Sequence, residues 1–291
     1  MKYAPAIQDR RPYEKNVLEF KRHYGVAPTT VSKIWDDLCT TDIEVSKLHE
    51  KEKGQKGFRN LLMVLYFLWN YPRSRHALKV LFGACEKYAS GAYFWKWAER
   101  LAGLEAKVIY FPDAMLDEPF IMSVDCREHK IWEKQHPTLN MDTTYTSRKH
   151  GKHCGLKYEL GVALFSDRIV WINGPYKPTT HDITVFRFGG LKQFLLEFYP
   201  GYYCVADGGY QSSQIDETML ATPNSTDPPP LKKFKSLGRC REEDVNGRMA
   251  KFKVLSHEFE HGIEKHKICY TAVAVLVQYQ LDCGEAYLTK L

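Results

Sequence analysis

The sequence has no Cys-x-x-Cys pair, no apolar run long enough to cross a bilayer, and no large excess of charge of either sign. Its eight cysteines, at 39, 85, 126, 154, 204, 240, 269 and 283, are scattered. That spacing excludes zinc-finger motifs, and a disulfide scaffold is not expected in a chain of 291 residues. The most apolar stretch, residues 61–69, is too short for a membrane span. The opening MKYAPAIQDRRPYEK lacks the apolar core of a secretory signal. A soluble protein of a reducing compartment, without a membrane partner, is expected. Lys and Arg outnumber Asp and Glu by 41 to 35, a balance that permits nucleic-acid binding without requiring it, so the distribution of charge decides. Apolar residues at 44% and charged residues at 26% are globular values. The length suits one catalytic domain and a smaller accessory region.

Helical periodicity dominates the first 110 or so residues. Val17, Phe20 and Tyr24 share one helical face before Gly25 breaks the run. Pro28 then opens a second helix carrying Val31, Ile34, Trp35 and Leu38 on one side. Proline suits a first turn because its missing N–H would be unpaired there anyway. Two helices on so short a turn have the shape of a helix-turn-helix, whose second helix offers its first residues to the major groove. Thr29, Thr30, Ser32 and Lys33 are the side chains that would face DNA; an ordinary helical hairpin has the same pattern. Residues 46–56 read as a polar linker, 58–71 as an apolar helix stopped by Pro72, and 74–82 with 86–101 as a second helix-turn-helix-like pair. Gly91 and the aromatic Tyr93, Phe94, Trp95 and Trp97 make that last helix one for packing rather than reading DNA. The expected division is 1–57, 58–110 and 111–291.

Strands begin near residue 120. Residues 120–124 form an apolar run ending at Asp125, and 202–206 another ending at Asp207. Residues 158–164 and 168–172 read as two more strands, 182–198 as a helix, and 223–238, with three consecutive prolines, as an irregular loop. A long helix is expected from about Arg239, with Val245, Met249 and Phe252 as its buried stripe, and a final apolar helix over 268–281.

An acid at a strand end is commonly a turn former. Two on neighbouring strands repel each other unless a cation lies between them. Hard divalent ions bind carboxylate oxygens and keep positions open for water and phosphate. A third acid from a packed helix would complete a site for two ions. The surroundings are basic. Residues 147–157 contain Arg148, Lys149, Lys152 and Lys157 and no acid, and 231–255 hold eight Lys or Arg against three acids. Such clusters suit a polyanion. His150, His153 and Cys154 have zinc-ligating chemistry but no fourth ligand, and His257, His261 and His266 read as surface-helix positions.

The segments SVDCREHKIWE (123–133), SRKHGKHCGLKYELGVAL (147–164), IVWINGPYKPTTHDITVFR (169–187), VADGGY (205–210), REEDVNGRMAKFKVL (241–255) and EHGIEKHKICYTAVAVLVQ (260–278) together resemble the DDE superfamily endonucleases of the PIF/Harbinger and IS5-like transposase group. The order is consistent over about 110–291. HYGVAPTTVSKIW resembles the helix-turn-helix of such proteins. Cys126, where the family more often has glycine, and the Tyr176–Thr180 stretch depart from the pattern without removing a ligand.

The resemblance implies an α/β fold: an RNase H-like mixed sheet flanked by helices, preceded by an all-α region. It implies a DNA transposase that cuts at transposon ends and transfers the freed strand, with a divalent metal, Mg²⁺ or Mn²⁺, as two ions. Asp125, Asp207 and Glu243 would be both catalytic acids and metal ligands. Glu242, Glu243 and Asp244 are consecutive, and helical phase leaves Glu242 on the buried stripe; motif register selects Glu243. Asp182 fits the family and also suits a helix cap. Arg148, Lys149, Lys152, Arg239, Arg241, Arg248 and Lys251 would hold phosphates. A homo-oligomer, a helper DNA-binding protein, and a nuclear location (cytoplasmic and nucleoid-associated in a bacterial host) follow by the same analogy. A domesticated, non-catalytic DNA-binding protein and a nuclease without strand transfer are the alternatives.

Overall fold

A computed structural model describes residues 14–51, 55–72, 75–83, 91–112, 118–132, 154–212 and 219–291. The all-α region and the mixed sheet are both present. Among the described residues seven helices come first: α1 (Glu14–Tyr24), α2 (Pro28–Thr41), α3 (Ile43–Lys51), α4 (Gln55–Asn70), α5 (Arg75–Phe82), α6 (Ala92–Ala102) and the short α7 (Glu105–Val108). Then come β1 (Phe120–Lys130), β2 (Gly155–Ala163), β3 (Ile169–Tyr176), α8 (Asp182–Phe188), α9 (Leu191–Phe198), β4 (Tyr203–Ala206) and β5 (Leu220–Ala221). The chain closes with α10 (Pro229–Met249), α11 (Lys253–Ser256) and α12 (Ile263–Asp282).

Two compact units emerge. One comprises Met1–Val108, Ala250–His257 and Glu264–Ala286; the other comprises Ile109–Met249, Glu258–Ile263 and Tyr287–Leu291. The closing helix, grouped by sequence order with the sheet, thus belongs to the helical unit. The reason is compositional. Residues Cys269 to Tyr279 of α12 are buried all round, and a helix apolar on every side needs neighbours on every side.

Within the helical unit, Gly25 forms the turn between α1 and α2. Its φ of +78° and the Trp69 ring lying where a side chain would be both demand glycine. Val31, Ile34, Trp35 and Leu38 are buried as their spacing predicts. Residues 46–51, the first part of the stretch read as a linker, are helical within α3, which the fully buried Val45 anchors.

The sheet runs β3-β2-β1-β4-β5. β1 is antiparallel to β2 and parallel to β4, while β2–β3 is antiparallel and β4–β5 parallel. β2 is buried along its whole length, the mark of a strand covered on both faces. β1 extends five residues beyond Asp125, because its ladder with β2 continues to Lys130↔Gly155. The expected single helix over 182–198 is two, broken at Gly189–Gly190, where Gly190 has φ +99°. α10 begins ten residues before Arg239, at Pro229. Prolines in a first turn cost no intrahelical bond, so the triple proline starts a helix rather than preventing one.

Candidate active site

Asp125 and Asp207 meet through strand register. In the β1–β4 pair Val124 lies opposite Ala206; the next residue on each parallel strand is an aspartate. Neighbouring strands are about 4.8 Å apart, so the two carboxyl groups emerge side by side where the β1–β4 ladder stops. Asp207 opens a 3₁₀ turn over Gly208–Tyr210, its Oδ1 accepting the Gly209 N–H at 2.7 Å. Asp125 Oδ1 accepts the Cys126 N–H at 2.8 Å.

The third acid comes from α10. Three consecutive carboxylates point three ways, as the helical turn of about 100° per residue requires. Glu242 is 3% exposed, Glu243 is exposed, and Asp244 turns to the C-terminal segment, where its Oδ2 accepts the Thr289 N–H and hydroxyl, both at 2.7 Å. It is Glu242 whose carboxyl feels the aspartates. Burial pushes it well above the usual carboxylate range; the Asp125 charge adds to this, the Ser123 hydroxyl opposes it, Asp207 adds again and Arg239 opposes. Glu242 Oε1 is buried with no hydrogen-bond partner among the described residues. Of the three consecutive acids, Glu242 is thus the buried one whose carboxyl registers the charges of Asp125 and Asp207, while Glu243, the residue that motif register selects, lies on an exposed face of the helix. The sequence signal was phase: Glu242 lies three residues before Val245 and seven before Met249, both fully buried.

The family model for the DDE superfamily endonucleases matches residues 124–278, more than half of the chain. The chain belongs to this family. No curated protein and no solved structure matches it. The five-stranded mixed sheet with flanking helices is consistent with an RNase H-like DDE domain. DDE endonucleases in general use a divalent metal. Among the described residues no group of three His, Cys, Asp or Glu side chains is already gathered to hold an ion. The donor set nevertheless suits a hard cation: three carboxylates, one with an orphaned buried oxygen, and the mutual repulsion that a cation relieves.

The residues expected on DNA divide three ways. Arg148, Lys149 and Lys152, like His150 and His153, lie outside the described residues. Thr29 and Lys33 are exposed on α2 and Ser32 half-exposed, whereas Thr30 is fully buried and bonds Glu285. Thr30 sits four residues before Ile34 and eight before Leu38, so helical phase puts it on the packed stripe. Arg241, 4% exposed, is turned inward. It donates to the carbonyls of Ala163 (2.9 Å), Thr289 (2.6 Å) and Ser166 (2.6 Å), and to Asp167 at 3.3 Å. Arg239 is half-buried beside Glu242, Arg248 donates to the Tyr287 carbonyl at 3.0 Å, and Lys251 is exposed. His266, read as a surface position, is fully buried.

Lys157, counted in the basic run, is likewise buried, paired with Asp182 at 2.9 Å. Asp182 is the first residue of α8; the N-cap is His181, which makes no side-chain cap. Two positions along β2, Glu159 is fully buried, bonded by Trp171 Nε1 at 2.9 Å and by the Tyr210 hydroxyl at 3.4 Å.

Proposed function

We propose that the chain is a divalent-metal-dependent DNA transposase, cutting phosphodiester bonds at transposon ends and joining the freed strand to target DNA, with Asp125, Asp207 and Glu242 as its acid triad. One observation carries this most: a buried glutamate with an unsatisfied oxygen faces two aspartates that strand register has brought side by side. Without a cation that arrangement is costly, since burial and two like charges all oppose ionisation. Divalent ions, when bound, supply Lewis acidity, activating the attacking hydroxyl and neutralising charge at the phosphate.

The chain's own groups do the rest. The Cys126 and Gly209 amides orient the Asp125 and Asp207 carboxyls. Ser123, two residues before Asp125 on the same strand face, steadies Glu242. Arg239, half-buried near that acid, is suited to hold a phosphate oxygen. Thr29, Ser32 and Lys33 offer polar groups at the start of α2 for reading the end sequence. Lys149, Lys152, Arg148, Arg248 and Lys251 extend the electrostatic footprint.

Cleavage of DNA carrying the element's ends, with Mg²⁺ or Mn²⁺, tests this. Asp125→Asn, Asp207→Asn and Glu242→Gln should each lower the rate by about a hundredfold or more, while Glu243→Gln should stay near the parent; the magnitude is that of losing one carboxylate from a charge-stabilising site. A parent that binds these ends but never cuts them favours a DNA-binding protein no longer acting as a nuclease. That reading draws on the carboxylates not being gathered around a point among the described residues.

A further inference from the structure

The turn that follows Asp207 is gripped from beneath. Gly209 donates its N–H to Asp207 Oδ1 at 2.7 Å. The space where a side chain on Gly209 would sit is occupied: a methyl there would overlap Asp182 Oδ2 and lie 3.0 Å from Asp207 Oδ1. The Asp182 carboxylate therefore abuts, through Oδ2, the glycine that holds Asp207. Its other oxygen is fixed by Lys157 Nζ at 2.9 Å, and that ammonium also donates to the Thr180 carbonyl at 2.6 Å. The pair is secluded, with side-chain exposures of 7% for Lys157 and 11% for Asp182. The next residue of the turn, Tyr210, is fully buried and reaches Glu159 at 3.4 Å and Cys126 Sγ at 3.2 Å. Lys157 and Glu159, at i and i+2 on β2, share one face, so one strand supports two successive residues of the turn.

A buried ion pair seldom adds net stability over apolar packing, and removing one partner leaves a stranded charge. Its position here has a different consequence, because the groups behind a metal-binding carboxylate aim it. We propose that Asp182, locked by Lys157, is a positioning residue for the divalent-ion site: its carboxylate is the wedge that sets Gly209 and, through the Gly209 N–H, the direction of Asp207. Asp182 itself is not a ligand. The proposal rests on Asp207 binding metal.

Mn²⁺ binding to the full chain, followed by electron paramagnetic resonance or calorimetry, tests it apart from catalysis. Asp182→Ala should weaken Mn²⁺ binding by about tenfold or more, the usual range for a partner behind a ligand. Asp182→Asn, which keeps the wedge, should stay within about threefold of the parent, where a purely electrostatic role would not spare it. Gly209→Ala should also lose about tenfold. In Asp182→Ala with Gly209→Ala, the new methyl fills the space the carboxylate left, so binding should be no weaker than in either single variant. Circular dichroism and thermal unfolding report the fold; should Asp182→Ala not fold, Gly209→Ala and its pairing with Asp182→Asn carry the test, since the retained wedge must then leave the clash unrelieved. The proposal is overturned if folded Asp182→Ala binds Mn²⁺ as the parent does, or if the two losses multiply. Asp207→Asn separates the two levels. Unchanged Mn²⁺ binding in that variant, or a parent that binds none, overturns the metal-site reading and this inference with it. Loss in Asp207→Asn alone overturns only the positioning role.

Discussion

Burial beside two other carboxyl groups makes ionisation costly, so Glu242 holds its proton more tightly than an exposed carboxyl does. Replacing it with glutamine removes a charge that the metal-free fold accommodates poorly. Glu242→Gln, which cannot ionise, should therefore raise metal-free stability at neutral pH, while it lowers cleavage by about a hundredfold or more. Thermal unfolding in the presence of a chelator checks the first effect. Glu159 offers a pH test away from the ligands. Burial lifts its carboxyl to about 7, against the bonds from Trp171 and Tyr210 that favour ionisation, with the Asp182 charge adding to the rise. The folded state then holds the Glu159 proton more tightly than the unfolded chain does. Its contribution is fully present below the unfolded value of about 4.3, is lost as pH rises to about 7, and is flat beyond. Stability should fall over that window by at most on the order of 3 kcal/mol. In Glu159→Gln that part of the slope should vanish, and denaturant titrations at pH 4.5, 6 and 7.5 would show an unchanged slope if the assignment is wrong.

One guanidinium fastens α10 beside its apolar contacts with the sheet. Arg241 satisfies three backbone carbonyls and Asp167, tying the helix to the β2–β3 turn and to the C-terminal segment. Arg241→Met should lower stability by about 2–4 kcal/mol, since several buried acceptors lose their donor at once. The salt dependence of DNA binding should not change, which a phosphate-contacting arginine would alter. Arg241 also shows where sequence reading stopped. Element type and core were legible: the α2 stripe of Val31, Ile34, Trp35 and Leu38, the strands leading to Asp125 and Asp207, and the apolar last helix all follow from periodicity. Boundaries governed by tertiary context were not. Nothing local shows that the β2 ladder carries β1 past Asp125, that Val45 anchors a helix in a polar stretch, or that α12 joins the helical unit. At the site, Asp125 and Asp207 were visible as acids ending short apolar runs. Helical phase puts Glu242 and Thr30 on buried stripes, whereas motif register points to Glu243 and the polar character of Thr30 points outward. A charged side chain looks the same in sequence whether it faces solvent or closes a buried network, as Arg241, Lys157 and Asp182 illustrate.

At the scale of the whole chain, a net charge of +6 suits a polyanion without specifying where one would bind. The exposed start of α2 provides one local test. Lys33→Ala should weaken DNA binding nearly uniformly across sequences and reduce the salt slope by about 1, as loss of one phosphate contact does. Thr30→Ala should instead reduce stability, since its hydroxyl is sealed against Glu285. An endonuclease of the DDE superfamily stands or falls on its acids converging around a cation. Crystals grown with Mn²⁺ and measured at the manganese absorption edge give the most direct view of that. Anomalous peaks bounded by the carboxyl oxygens of Asp125, Asp207 and Glu242 are the expected result. Peaks ligated by Glu243 in place of Glu242, or no peak at these acids in a protein that cuts DNA, would contradict it.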